Sequence, residues 1–144
     1  MKKIIFGIIF LLFVGICIDL YYTDSDSQEF EKYIMTHINN KNKSVIDLKE
    51  NLPFEWEKFY IFGPYQSKKE MYKEVGFKWF TFEIMTEGYY KVVFVNKSKV
   101  VCDTDISTGT FSMETKSNPV YSNNSKFKLQ WTDDKYVVLK QILN

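Results

Sequence analysis

The run IIFGIIFLLFVGICI, residues 4–18, carries no charge and no polar side chain other than Cys17. Lys2 and Lys3 precede it and Asp19 closes it. Chain ends usually fray, so a stretch this apolar is ill placed to serve as the core of a small domain. It predicts a helical export or anchoring segment. An uncleaved anchor needs about 17–25 apolar residues. Residues 4–22 reach that length if Asp19 is tolerated and Tyr21 and Tyr22 sit at the interface. A cleavable signal would end near Gly15-Ile16-Cys17. A lipoprotein signal would use Cys17, although Ile16 is larger than the residue such signals place before the cysteine. In each version Lys2 and Lys3 stay inside and the body lies outside the cytoplasm. The expected localisation is the cell membrane in single-pass topology, or secretion after cleavage. The expected partner is the membrane, through residues 4–22.

This divides the chain into an anchor or signal over 1–22, a polar spacer TDSDSQ over 23–28, and one extracytoplasmic domain over 29–144. At 144 residues there is room for little more than one domain. With 45% hydrophobic and 26% charged residues, the body is expected to fold. The aromatic share of 18% gives a small core large rings to bury. All 19 basic residues are lysine and the net charge is only +1. Phosphate recognition favours basic clusters and arginine forks, so no nucleic-acid partner is expected. Beyond Cys17 only Cys102 remains, so no disulfide forms within the body. With His37 as the one histidine, the usual zinc ligand set is missing, and neither metal nor cofactor is expected.

Along the body, Phe30, Tyr33, Ile34, Met35 and Ile38 share a broad face at helical spacing and predict a helix from about Gln28 to Asn39, with Ser27 as its cap. Residues 44–52 fit either a short helix or an extended segment. Phe54 to Phe62 reads as a strand that is apolar on both sides in its second half, as for a strand covered on both faces. Gly63-Pro64 ends it. Ser67-Lys68-Lys69-Glu70 is a capping box for a helix to Val75, and Gly76 stops that helix. Strands follow at 77–85, 89–96 and 99–106, with a short one at 110–116. Residues 126–132 alternate strictly, Asp133-Asp134 turns the chain, and 136–143 closes the sheet or ends as a helix. The sum is an α+β fold: an N-terminal transmembrane or signal helix, then an antiparallel sheet of about five to six strands with two helices.

Phe54-Glu55-Trp56-Glu57-Lys58, Tyr60-Ile61-Phe62, Pro64-Tyr65 and Gly76-Phe77-Lys78-Trp79 together resemble an element of small exported or membrane-anchored proteins of low-GC bacteria. That element has the pattern W-D-x-x-Y-x-F-x-P-Y before a helix ending in G-F-x-W. The likeness covers about a quarter of the body. Glu57 stands where the pattern has aspartate. The resemblance implies a compartment and a fold type, and no activity.

Trp56, Tyr60, Pro64, Tyr65 and Trp79 form the candidate binding site, an aromatic corner that could rim a groove for an envelope protein or a glycan. The competing expectation is that the tryptophans are core rings. Two carboxylate pairs, Glu55 with Glu57 and Asp103 with Asp105, share faces and could serve acid–base chemistry or help bind a hard cation. The commoner role for such pairs is a solvated face. The function expected is that of a membrane-anchored extracytoplasmic module acting by binding, not an enzyme. The alternatives are a carboxylate-dependent hydrolase of wall or carbohydrate substrates, and a purely structural membrane-proximal domain.

Overall fold

The computed structural model describes residues 2–40, 42–132 and 136–143. The order of elements is α1 (Lys2–Asn39), β1 (Val45–Asp47), α2 (Leu48–Asn51), β2 (Lys58–Phe62), α3 (Lys68–Val75), β3 (Tyr89–Asn96), β4 (Lys99–Ser107), β5 (Phe111–Glu114), β6 (Val120–Tyr121), a 3-10 turn (Ser122–Asn124), β7 (Lys126–Trp131) and β8 (Val137–Gln141). The Asp133-Asp134 turn lies outside the described residues.

The first correction concerns the amino terminus. Among the described residues, no helix is long and apolar enough to cross a membrane. The anchor or signal helix expected over 4–22 is therefore not supported. The single-pass localisation, the membrane as partner and the membrane-anchored module fall with it. The physical reason is length: the uninterrupted apolar run from Ile4 to Ile18 spans about 22 Å as a helix, short of the ~30 Å hydrocarbon layer. The helix also does not stop where the run stops. It continues through the acidic stretch read as a spacer and on to Asn39. Ser27 is thus an internal residue of α1 rather than its cap, and its hydroxyl donates to the carbonyl of Asp103 at 3.1 Å.

The carboxyl-terminal third of α1 docks as the 3.6-residue period predicts. Phe30, Ile34 and Ile38 follow one another at four-residue spacing and are buried. They join a main core filled by Val92 and Phe94 of β3, Cys102 and Ile106 of β4, and Phe127, Leu129, Val137 and Leu139 of β7 and β8.

Strands form two four-stranded sheets rather than one. The first has the order β1-β7-β8-β5 and the second β4-β3-β2-β6. Pairing is antiparallel except between β5 and β8, which run parallel. The second sheet is covered on both faces. Its inner face lies on the main core. Its outer face carries Tyr60, Phe62, Val93, Val95 and Val100 under Met71 and Val75 of α3. This is the double cover that the two-sided apolarity of β2 predicts.

Local chemistry explains α3. Ser67 Oγ accepts from the Glu70 amide while the Glu70 carboxylate accepts from the Ser67 amide, a complete capping box. Gly76 ends the helix at φ 95°, where a side chain would be strained. Two expected strands differ. Residues 54–57 are irregular, and β2 starts at Lys58. Residues 77–85 form no strand. The exposed rim of β2 beyond its short pairing with β6 is closed by a side chain. Asn118 accepts from the Ile61 amide and donates to the Ile61 carbonyl, each at 2.9 Å, as a neighbouring strand would.

Candidate functional site

The five residues of the expected aromatic corner do not form one surface: Tyr60 and Trp79 share the outer core, and Trp56 lies in the other. Trp56 precedes the strand and turns into the main core, where its ring lies 5.1 Å from Phe94 and 5.7 Å from Phe59. Tyr60, within the strand, points into the opposite core and stacks on Phe62. The four irregular residues before Lys58 break the alternation that would have put both rings on one side. Pro64 and Tyr65 are exposed at the turn. Trp79 is half-buried over the outer face.

The turn nevertheless has a role. Tyr65 adopts φ 64°, a left-handed conformation unusual for an aromatic residue. In that conformation its amide donates to the Ile84 carbonyl at 2.7 Å. This is one of several ties on the segment between α3 and β3. The Tyr72 hydroxyl donates to the Trp79 carbonyl at 2.9 Å. The Trp79 indole donates to Asp103 Oδ2 at 2.7 Å. Glu83 accepts from the Lys68 amide at 2.7 Å, at the first turn of α3. Thr81 and Ile84 are buried. A segment without ladder hydrogen bonds is thereby fixed by four hydrogen bonds and two buried side chains.

Its remaining side chains face out. Phe80 is 68% exposed, Phe82 64% and Met85 67%. The two rings meet edge to face with centroids 5.1 Å apart, and Lys68 Nζ sits 5.6 Å from the Phe82 ring centre. The product is an apolar ridge on an anchored stretch of chain, beside the exposed Tyr65.

Against Trp79 lies a charge cluster in which Lys91 is buried, Asp103 mostly covered and Asp105 exposed. Lys91 Nζ is 2.7 Å from Asp103 Oδ1 and 2.6 Å from Asp105 Oδ1. Burial pulls the Lys91 pKa down, but the charges of Asp103 and Asp105 and their hydrogen bonds outweigh that, and the net direction is upward. Asp103 therefore spends one oxygen on Lys91 and the other on Trp79. The pair is a fastening for the segment above it. The second pair differs: Glu55 and Glu57 are exposed and line a cleft of about 500 Å³ with Lys49, Trp56 and Lys97. Glu57 Oε2 accepts from the Lys97 amide at 3.1 Å, in the β3–β4 turn, and Lys97 itself has φ 54°. The longer arm of Glu57, compared with aspartate, serves that reach.

Cys102 is buried beside Ser27, and burial pushes its thiol up to about 12, so it is not a nucleophile near neutral pH. His37 Nδ1 lies 2.8 Å from the Tyr33 carbonyl and Nε2 lies 2.9 Å from Lys43 Nζ. This fits a neutral ring whose Nδ1–H donates and whose Nε2 accepts. Among the described residues no group of three or more His, Cys, Asp or Glu is placed to hold a metal ion.

Sequence reading missed the ridge because 77–85 alternates like a half-buried strand. It also missed Lys91, whose partners depend on strand register. The signal that could have found the ridge is Phe80-Thr81-Phe82 next to a Trp79 that must itself turn inward.

No family model, curated protein or solved structure matches the chain.

Proposed function

We propose that the domain is a recognition module acting by non-covalent contact, and that its contact surface is the ridge of Phe80, Phe82 and Met85. The observation that carries this is the combination of exposure with fixation. Large apolar side chains facing solvent together, on a segment tied down by four hydrogen bonds, are what interfaces use as anchors. Fixing the segment in advance lowers the ordering cost of association. A partner is then a protein with an apolar depression to receive two rings and a thioether. This surface is distinct from the corner around Trp56, and the reading needs no attachment to a membrane.

The test is site-specific photocrosslinking in cells that make the full chain. A benzophenone amino acid at Phe80 is expected to give a discrete adduct that disappears when Phe82→Ser and Met85→Ser are introduced. The same probe at exposed Gln130 of β7 serves as control. Identical adducts from both positions, or none from Phe80, would remove the reading.

A further inference from the structure

The ridge carries one side chain that a mild oxidant can change. Among the described methionines Met85 is the most open, at 67% exposure, against 36% for Met35 and 1% for Met71. Met113 is half-buried and packs on the main core. An oxidant must reach the sulfur to attack it, so exposure orders the four. The opening of Met85 is also built in. Ile84, one residue before it, is buried, and its carbonyl accepts from the Tyr65 amide at 2.7 Å. The thioether therefore stands in solvent from an anchored point of the chain, beside two rings that a peroxide leaves unchanged.

We infer that Met85 is an oxidation site, and that its sulfoxide closes the ridge to the partner. The inference rests on the reading of the ridge as a contact surface. In the step, the sulfur lone pair attacks one oxygen of hydrogen peroxide. The O–O bond breaks, an S–O bond forms, and the second oxygen leaves as water. Sulfur gives up two electrons and the peroxide takes them. The product is a polar, chiral side chain in place of a flexible apolar one. A depression shaped for two rings and a thioether is apolar and offers that oxygen no donor. Burying it unpaired weakens association about tenfold. Met71 lies inside the outer core that Met85 stands outside. Oxidation thus reaches the contact surface before it reaches the fold.

Two measurements test this. Peptide mass spectrometry of the full chain under limiting hydrogen peroxide is expected to place the first added oxygen on Met85, ahead of Met35 and Met113, with Met71 last. Earlier oxidation of any of those three would overturn the inference. The benzophenone probe at Phe80 then reads the consequence in cells that make the full chain. Peroxide is expected to lower the adduct about tenfold where Met85 is intact. It should leave the adduct in Met85→Leu, which keeps the apolar volume and has no sulfur. That contrast separates Met85 from oxidation of the partner, which lowers both. Met85→Gln, polar and of similar length, should lower the adduct about tenfold without any peroxide. An adduct that survives while Met85 is oxidised, or an equal loss in Met85→Leu, overturns the inference and leaves the ridge as a contact surface. Absence of the adduct before peroxide removes that reading, and the inference with it.

Discussion

The two faces of the second sheet are built on different principles. On the inner face, Phe94 lies at the centre of a ring cluster, with Phe30, Phe54, Trp56 and Phe59 all between 5.0 and 5.4 Å away. Their contacts are edge-on or tilted, the arrangements that ring quadrupoles favour. The outer face is apolar under α3 but charged at its far end, where Lys91, Asp103 and Asp105 hold Trp79. The inner face gains its free energy by excluding water and has no outward product. The outer face gives up part of that gain to cover the charges of Lys91 and Asp103, with Asp105 at its exposed edge, and what it obtains is a fixed position for Phe80 and Phe82. Stability and presentation are thus assigned to opposite sides of one sheet.

Five outcomes would break or sharpen this contrast. The largest effect is expected from Phe94→Ala, which should cost about 3–5 kcal/mol in denaturant unfolding because it empties the centre of the ring cluster. A cost below that of a surface change would mean the inner face is not the stabilising one.

Next is Lys91→Met, which leaves Asp103 and Asp105 without their cation and should cost about 3 kcal/mol at neutral pH. Its pH dependence is the sharper test. The folded-state pKa of Lys91 is raised above the ordinary 10.5 by its two aspartates, which outweigh burial. Its contribution is therefore fully present below 10.5 and is lost as pH rises through the higher folded value. Tyr33, pushed up to about 12 by burial and the nearby Asp47 charge, adds a loss of the same sign. Tyr90, also raised by burial, acts in the same direction. The wild-type unfolding midpoint should fall as pH rises past about 10, and Lys91→Met should show a shallower fall, with the tyrosine part remaining. Equal slopes would show that the cluster is not a stabilising tie.

Asn118→Ala removes both bonds to Ile61 and should cost about 1–2 kcal/mol. It also opens the rim of β2, so sedimentation should reveal concentration-dependent association absent from the wild type. Ser67→Ala should cost about 1 kcal/mol through loss of the α3 cap. The smallest effect is expected from Phe80→Ser with Phe82→Ser, within about 0.5 kcal/mol of wild type, since both rings already face water. A loss of several times that size would show that the rings pack inward and that the ridge is not a presented surface.

How much of this was legible in the sequence depends on the range of the interaction. The α3 cap, its glycine stop and the positions of β3, β4 and β7 follow from residues within a few places of one another, and they stand where the sequence puts them. The buried stripe of α1 is legible for the same reason, though not the helix that carries it: the composition change at Asp19 reads as a boundary, and the backbone runs straight through it. Residues 77–85 carry a strand's alternation without a neighbour to pair with, so sequence places their side chains on two sides but cannot say which side meets solvent. The expected corner failed because four irregular residues before β2 send Trp56 and Tyr60 into opposite cores.

The sequence by itself determined an α+β domain with a ring-rich core, one capped helix and two-sided strands, because propensity, periodicity and capping act within a few residues. Only the tertiary structure decided what faces what. The clearest case is the register shift in the β3–β4 pair between Phe94 and Val95. Counted from the turn at Asn96 and Lys99 without that bulge, Lys91 would oppose Thr104. With it, Lys91 opposes Asp105, on the same face as Asp103. One extra residue in a strand moves every side chain beyond it to the other face. Whether Lys91 meets two carboxylates or none is therefore set by the pairing of distant strands and not by the residues around it.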